Sequence, residues 1–324
     1  GAFLRKRLGG GIVRRFADPM VGGIYGASVD ELSLDAVLPS LRVDEATHRS
    51  LMLAALAAGR KVRAAGRGPG SPFRTLRGGL GSLVDAVASR LREQGADLRL
   101  GVRVDELRPT GAGGAQAVLS DGSVESVDAV VLAGGVASSA ALLAGPAPES
   151  ASAVSRVSLA TSTVVTLAYP ASAFGTPVVS HGWLEAGPAP ISGVTVSSAK
   201  WAGRAADGTV LIRAFVPERL GAIAHAEDQV LLDAVVRHVG EVLGASREPE
   251  LTRVARWPGV MPKYTVGHLA RVAETEAGLA HLPAWRVAGS ALRGVGVPDC
   301  VADGRRQAGL ALDRVSAGRA KVGS

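Results

Sequence analysis

Cysteine is almost absent from this sequence, because Cys300 is the single one in 324 residues. No disulfide can form within the chain, and a zinc site built from several cysteines is excluded. A single cysteine suits a reducing compartment, so we predict a cytoplasmic location. Aromatic side chains are also scarce, at 4% of the residues, which argues against a stacking platform for single-stranded nucleic acid.

The common catalytic signatures are missing as well. The sequence contains no Gly-x-Ser-x-Gly, no His-Glu-x-x-His, no complete P-loop and no Gly-x-Gly-x-x-Gly. The nearest approach is "RGGLGSL" at 77–83, which precedes a helical pattern without following a strand. We interpret its glycines as serving close packing and helix entry. The motifs therefore predict no metal site and no catalytic acid, base or nucleophile.

The charge balance and the apolar stretches limit the classes of partner that we expect for the chain. The chain has 36 Lys and Arg against 29 Asp and Glu, a net charge of +7, which suits an acidic substrate, anionic lipid or solubility alone. Because aromatic residues are few, we expect no nucleic-acid partner. Two long uncharged stretches, 129–148 and 157–180, contain glycine or proline and are interpreted as strands and a helix of a globular fold, not as membrane spans.

Hydrophobic periodicity predicts an N-terminal helical subdomain over residues 1–72. Leu4, Leu8, Ile12 and Phe16 recur every four residues, which places them on one helical face. The ranges 28–38 and 51–65 also have helical spacing.

Residues 73–155, which we group with 268–324 as one domain, have a mixed α/β pattern. A helical stripe over 80–91 precedes an alternating strand over 98–104, a hairpin over 115–127 that turns at Asp121-Gly122, and an apolar run over 129–133. The apolar run predicts a strand that is buried on both faces. This mixed α/β order is common in flavin domains of the glutathione-reductase type.

Residues 156–267 predict an antiparallel sheet that can expose one face to a ligand. The expected strands are 163–167, 178–184, 191–196, 210–216 and 250–257, with an amphipathic helix before the last one. The predicted fold class is therefore α+β or α/β, with a mixed domain, an antiparallel-sheet domain and a helical subdomain. The family resemblance described below implies that the mixed domain is a partial glutathione-reductase-type FAD domain and that the sheet domain binds the substrate.

The stretch "ALRGVGVPDCVADGRRQAG" at 291–309 contains the most informative local pattern. It predicts a loop over 289–297 between a short strand, 285–288, and a helix that Pro298 and Asp299 open and that runs to residue 314. Gly294 and Gly296 allow a flat group to approach the backbone, and the start of a helix attracts an anion or an electron-rich carbonyl. The residues alone leave two interpretations open: a flavin edge or an ordinary junction between loop and helix.

A family resemblance favours the flavin. "GVGVPDCVADGRRQA" (294–308) resembles the C-terminal flavin-binding segment of the flavin-dependent protoporphyrinogen and coproporphyrinogen oxidase family. Four further stretches agree with that family in order: "FADPMVGGIYGASVDELSLDAVLPSL" (16–41), "FRTLRGGLGSLVDAVASRL" (73–91), "SSAKWAGRAADGTVLIRAFV" (197–216) and "WPGVMPKYTVGHLARV" (257–272). The resemblance implies an FAD enzyme that oxidises a porphyrinogen, coproporphyrinogen III in the first place, with dioxygen as acceptor. The carboxylates of that substrate suit a basic chain.

The resemblance also implies site residues, none of them a catalytic side chain. Those expected at FAD are Val104 at the adenine end, Val295, Gly296 and Val297 against the isoalloxazine, Gly289 in the same loop, and Trp257, for which a core tryptophan is the alternative. Those expected at the substrate cavity are Gly23 and Trp201. His268 is interpreted as a structural histidine at a helix start, and Cys300 as a packed small residue rather than a redox thiol.

Two departures from the family matter for function. Leu292 stands where the family has an aromatic residue, and the family's Gly-x-Gly-x-x-Gly lies ahead of the residues present here. We therefore expect this chain to be N-terminally truncated, to lack the pyrophosphate-binding segment and to bind little or no FAD alone. The alternatives are a phytoene desaturase-like flavin oxidoreductase and a non-catalytic fragment that binds porphyrin or a partner protein. Protoporphyrinogen as substrate, the oligomeric state and peripheral membrane contact of the helical region stay open.

Overall fold

The structure is a computed structural model that describes residues 1–48, 50–64, 74–111 and 113–322. Its α-helices are α1 (Ala2–Leu8), α2 (Gly10–Ile12), α3 (Asp18–Tyr25), α4 (Leu34–Val37), α5 (Ser40–His48), α6 (Leu51–Ala64), α7 (Gly81–Glu93), α8 (Val136–Leu143), α9 (Pro148–Ser155), α10 (Ser197–Lys200), α11 (Asp228–Leu243), α12 (His268–Gly278) and α13 (Val297–Val322). Its strands are β1 (Val104–Pro109), β2 (Ala115–Leu119), β3 (Val124–Val127), β4 (Val130–Leu132), β5 (Leu159–Pro170), β6 (Gly182–Leu184), β7 (Gly193–Val196), β8 (Thr209–Pro217), β9 (Leu251–Pro262) and β10 (Trp285–Val287). Short 3₁₀ segments occupy Ala171–Ala173 and Glu218–His225.

The chain divides into two compact units. Unit 1 comprises Gly1–Leu34, Leu38–Arg90 and Leu159–Lys263, and unit 2 comprises Asp35–Val37, Leu91–Ser158 and Tyr264–Ser324. The predicted boundary at residues 72 and 73 lies outside the described residues, and the three-part domain division stays a prediction.

Unit 1 contains an antiparallel sheet of five described strands in the order β6-β7-β8-β5-β9. The alternation over 210–216 is confirmed, since Val210, Ile212, Ala214 and Val216 are all buried. Helix α11 adds Leu231, Val235 and Val239 to the same core, again as its spacing predicts. The strands at 178–184 and 191–196 are shorter than expected, whereas β9 continues to Pro262 beyond its predicted end.

The N-terminal helical pattern is interrupted, so the expectation of one continuous helix is wrong. Gly9 has φ +81°, which ends α1, and a π-helical segment, Val13–Ala17, joins α2 to α3. The side chains that face the core are Val13, Ala17, Val21 and Tyr25. The neighbouring row is exposed, and we call it the apolar stripe: Ile12, Phe16, Met20 and Ile24.

The helix predicted over 28–38 is also wrong, except for the single turn of α4. Asp18 Oδ1 accepts hydrogen bonds from Ser28 Oγ, at 3.1 Å, and from the Val29 backbone N–H, at 2.9 Å. Glu31 Oε1 accepts one from the Ser28 N–H at 3.0 Å. Such local bonds from side chains to backbone compete with helix formation.

In unit 2 the predicted hairpin is confirmed as β2 and β3, which pair with β1 in the order β1-β2-β3. Asp121 Oδ1 accepts from the Ser123 N–H at 2.9 Å, and Gly122 supplies φ +86° in the turn. The strand predicted over 98–104 is wrong before Val104. That residue already pairs with Leu119, the last residue of β2, so β2 offers no further partner.

A parallel pair, β4 and β10, forms the other described sheet of unit 2. We predicted a strand buried on both faces over 129–133, and β4 does lie there. Its predicted burial is wrong, because Val131 is 38% exposed. Parallel strands are normally covered by helices on both faces, so this pair presents unusually open surface for its class.

Candidate functional site

The loop between β10 and α13 (Gly289–Gly296) belongs to unit 2, and we call it the flavin loop after the family resemblance that predicts its role. The predicted strand and helix on either side of it are confirmed, and α13 continues past the expected end to Val322. Gly294 has φ +83°, and a Cβ there would lie 2.4 Å from Asp299 Cβ. A side chain at position 294 would therefore force the start of α13 to move.

Three buried side chains hold the flavin loop by its backbone. The Tyr264 hydroxyl donates to Ser290 O at 2.6 Å, and His268 Nε2 lies 2.9 Å from Leu292 O. Asp303 Oδ2 accepts from the Gly289 N–H at 3.0 Å. We call Tyr264, His268 and Asp303 the loop anchors.

A salt-bridge network extends from Asp303. Its Oδ1 lies 3.4 Å from Arg293 Nη1 and 3.0 Å from Arg306 Nη2, and Arg293 also pairs with Glu276. The Asp303 side chain is almost fully buried. A buried carboxylate requires such cationic partners, so this network fixes both Arg293 in the loop and the first turns of α13.

His268 is the first residue of α12, where the sequence predicted a structural histidine. Its ring stacks on Tyr264, with centroids 4.0 Å apart and planes inclined by 18°. Burial is the main cause that lowers the pKa of His268, so the neutral ring is favoured. A carbonyl oxygen can only accept, and therefore Nε2 carries the proton and donates it to Leu292 O.

Cys300 lies in the first turn of α13, half-buried, with Sγ 3.6 Å from Gly294 O. Burial raises the pKa of its thiol, and the neighbouring Asp299 and Asp303 carboxylates act in the same direction. A thiol with a raised pKa is a poor nucleophile. This environment fits the predicted packing role better than a redox role.

The remaining residues expected at the flavin lie in different elements. Val295 and Gly296 are half-buried in the flavin loop, while Val297 is exposed at the start of α13. Val104 is half-buried at the start of β1, in unit 2. Trp257 belongs to unit 1, opposite Ser162, and is 55% exposed, so the alternative of a core tryptophan is wrong.

The two residues expected at the substrate cavity both belong to unit 1. Gly23 lies in α3, and a Cβ at this position would meet nothing within 4 Å. Met20 and Ile24 of the apolar stripe are exposed beside it on the same helix. Trp201 directly follows α10, with Lys200 Nζ 5.6 Å from the centroid of its ring.

Sequence reasoning missed two of the loop anchors, Tyr264 and Asp303. Tyr264 gave no periodic signal, because it lies before α12, where the helical spacing of side chains does not apply. Asp303 gave none, because an acidic residue in an arginine-rich helix is normally solvated. Its burial depends on contacts with Gly289 and Arg293, which come from outside the helix.

The described part of the chain contains no group of three or more His, Cys, Asp or Glu side chains placed to hold a metal ion. None of its helices combines the length and the apolar composition that crossing a bilayer requires.

Comparison with known families accounts for this arrangement. The family of flavin-containing amine oxidoreductases matches residues 1–312. The chain therefore belongs to that family.

More specific relatives are porphyrinogen oxidases. The chain is 54% identical to coproporphyrinogen III oxidase of Propionibacterium freudenreichii, across 97% of this chain and 64% of that protein. It is 29% identical to the coproporphyrinogen III oxidase of Bacillus subtilis, across 96% of this chain and 67% of the relative. The chain thus spans about two thirds of the length of these relatives.

Solved structures agree with the fold. A protein of Exiguobacterium sp. 255-15, named as a candidate protoporphyrinogen oxidase, has a TM-score of 0.78 and 25% identity, covering 98% of this chain and 66% of its own. Reduced UDP-galactopyranose mutase, at 15% identity, has a TM-score of 0.66, covers 99% of this chain and 67% of its own, and supports the fold alone. The predicted fold class of mixed helices and antiparallel sheet is confirmed.

Proposed function

We propose that this chain supplies the flavin loop and the substrate sheet of an FAD-dependent enzyme that oxidises coproporphyrinogen III to the porphyrin, with dioxygen as electron acceptor. The observation that carries the proposal is the 54% identity to a coproporphyrinogen III oxidase along 97% of the chain. The reaction is assigned to the cytoplasm, a reducing compartment that suits a chain with one cysteine.

On the flavin side, the described residues fit one edge of the isoalloxazine. The flavin loop is anchored through Ser290 and Leu292, whereas Val297 stays exposed where α13 begins. The first N–H groups of a helix lack partners within it and carry partial positive charge. They suit the N1–C2=O2 edge of the ring, which becomes negative when the flavin is reduced.

On the substrate side, apolar and basic groups suit the hydrocarbon ring and the carboxylates of coproporphyrinogen III. The apolar stripe beside Gly23 offers exposed hydrocarbon to the macrocycle. Lys200, beside the Trp201 ring, adds a cation of the kind that pairs with carboxylates, and the net charge of +7 attracts an acidic substrate. Protoporphyrinogen, with fewer carboxylates, would use this basic character less.

The chemistry demands little from side chains. When bound, FAD would supply the hydride acceptor, with dioxygen as the final electron acceptor. The chain's own residues orient the flavin loop and the substrate, which agrees with a sequence that has no recognisable catalytic acid, base or nucleophile.

The sequence has no Gly-x-Gly-x-x-Gly, the motif that binds the pyrophosphate of FAD. The surroundings of α7 support a need for further structure, since Leu80, just before the helix, and Leu83, Val84, Val87 and Leu91 within it are exposed. We therefore expect little FAD binding by this chain alone. Binding is expected to rise when a polypeptide is added that carries the part of the Propionibacterium relative left uncovered by the match.

The experiment is an FAD titration, with and without that added polypeptide, followed by flavin fluorescence and then by porphyrin emission after coproporphyrinogen III is supplied. Gly294→Ala is the test variant, because it disturbs the flavin loop. Gly309→Ala, in α13 with open space around it, is the matched control. The proposal is supported if turnover occurs only in the mixture and is lost in Gly294→Ala but not in Gly309→Ala. Porphyrin binding without any flavin binding would favour a non-catalytic role instead.

A further inference from the structure

The flavin loop is fixed along one side and open along the other. Its anchored groups are the backbone of Gly289, Ser290 and Leu292 and the side chain of Arg293. Further along, Val295 and Gly296 are only half-buried. The side-chain bonds thus hold the loop between Gly289 and Arg293.

The hydrogen bond from His268 to Leu292 O comes with a cost in folding free energy. Its Nδ1 is buried and has no hydrogen-bond partner among the described residues, although Nε2 donates to Leu292 O. An unpaired buried acceptor destabilises the folded state, and an apolar ring of similar size would fill the space without it. What an apolar ring could not supply is the donor for Leu292 O.

Tyr264 complements His268. Its hydroxyl donates to Ser290 O, two residues before Leu292, and its ring lies face to face with the imidazole. Each ring thus limits the rotation of the other, and together they present two donors to neighbouring carbonyls of one loop. A single packing residue would not require this pairing.

We infer that Tyr264 and His268 are positioning residues, which fix the carbonyls of Ser290 and Leu292 and thereby set the backbone of residues 294–297 in the orientation that receives the flavin. This inference rests on the proposed function for the identity of the ligand. The part that concerns the loop itself does not depend on flavin.

Substitutions at His268 separate its donor from its bulk. In His268→Gln the amide nitrogen reaches about as far as Nε2, so the bond to Leu292 O is kept. His268→Asn is too short for that bond, and His268→Ala has no donor. Tyr264→Phe removes one hydroxyl and keeps the stacked ring.

His281 provides a matched control in the same unit. Its Nε2 donates to a backbone carbonyl, Pro146 O, at the same distance of 2.9 Å, but the residue is exposed and bonds outside the flavin loop. His281→Ala therefore removes an equivalent bond elsewhere.

The test is amide hydrogen exchange of the flavin-free chain, read over residues 289–297 and over α12. We expect exchange in the loop to accelerate about tenfold in His268→Ala and His268→Asn and about fivefold in Tyr264→Phe, the range for loss of one buried hydrogen bond. His268→Gln should remain close to the parent chain, and His281→Ala should leave the loop unchanged. Acceleration in His268→Gln equal to that in His268→Ala overturns the inference, as does acceleration spread equally through α12. If His268→Ala does not fold, Tyr264→Phe and His268→Gln still decide.

A second measurement distinguishes this inference from the proposed function. The same variants are titrated with FAD in the presence of the added polypeptide, and the flavin absorption spectrum is recorded. About tenfold weaker binding in His268→Ala, restored in His268→Gln, supports the positioning role. If hydrogen exchange in the loop differs among the variants but all of them bind FAD equally well, Tyr264 and His268 do not position the flavin. No flavin binding by any variant refutes the proposed function and leaves the exchange result to decide on the loop.

Discussion

The two units differ in how completely their sheets are covered. In unit 1 the central strands β5 and β8 have neighbours on both sides, and Leu167, Ile212 and Leu231 are fully buried. In unit 2 the pair of β4 and β10 leaves Val131 partly exposed. An antiparallel sheet can be stable with one open face, whereas a parallel one needs cover on both. The sheet of unit 1 is thus buried along its central strands, while the parallel pair of unit 2 stays open at Val131.

The largest expected effect tests the closed core of unit 1. Leu231→Ala removes a fully buried side chain of α11 and is expected to lower the free energy of unfolding by about 3 kcal/mol. Its exposed neighbour Val230, changed to Ala, is expected to have an effect below about 0.5 kcal/mol. Urea unfolding followed by circular dichroism measures both. Equal effects would contradict the picture of a closed core.

The next effect concerns the loop anchor of unit 2. Asp303→Ala removes the carboxylate that accepts from the Gly289 N–H and pairs with Arg293 and Arg306, so we expect a loss of about 2 kcal/mol in the free energy of unfolding. Asp313→Ala, an exposed position in the same helix, is the control. If urea unfolding gives similar values for the two variants, Asp303 does not hold the loop.

Two buried tyrosines, one in each unit, offer a direct comparison. Tyr264→Phe loses a hydrogen bond and should destabilise the chain by about 1–2 kcal/mol. The Tyr169 hydroxyl has no hydrogen-bond partner in the part of the chain that the structure describes, so Tyr169→Phe should be neutral or slightly stabilising. Unfolding free energies at neutral pH test this contrast, and a loss in Tyr169→Phe as large as that in Tyr264→Phe would contradict it.

Tyr169 also predicts a dependence on alkaline pH. Burial, with a smaller contribution from Glu248, raises its pKa to about 12 from 10.0. Above pH 10 the unfolded chain ionises this group while the folded chain keeps it neutral, so its contribution to stability is lost as the pH rises towards 12. Tyr169→Phe should remove that part of the alkaline decline. Unfolding curves between those pH values, for both chains, measure the difference.

The smallest expected effect lies on the exposed face of α7. Val84→Gln should change the free energy of unfolding by less than about 0.5 kcal/mol, because Val84 has lost little surface to packing. A loss of stability above about 1.5 kcal/mol would mean that this face of α7 already packs within the chain. The measurement is urea unfolding, with Val87→Gln as a second position on the same face.

Local patterns predicted most of the sheet of unit 1 and the junction of the flavin loop with α13. Alternation over 210–216 and the helical spacing of Leu231, Val235 and Val239 describe burial against a single core, so period and structure agree. The helix over 28–33 failed because Asp18, ten or more residues away, binds that backbone. The strand over 98–103 failed because β2 offers a partner only from Val104 onward.

The candidate site shows the same division. The glycines and the Pro298-Asp299 pair indicated the flavin loop from sequence, since each has a distinct backbone role. The anchors were not foreseen as a group, because Tyr264, His268 and Asp303 come together only when α12 and α13 both contact the loop.

The sequence by itself determined the family, the fold class and the position of the flavin loop, because these depend on motifs and periodicities that neighbouring residues express locally. The tertiary structure alone decided which apolar rows are buried and which are exposed, as with the apolar stripe against Val13, Ala17 and Val21. It also decided that Asp303 is a buried anchor. Burial and pairing are properties of contacts between distant segments, and the residues of one segment do not encode them.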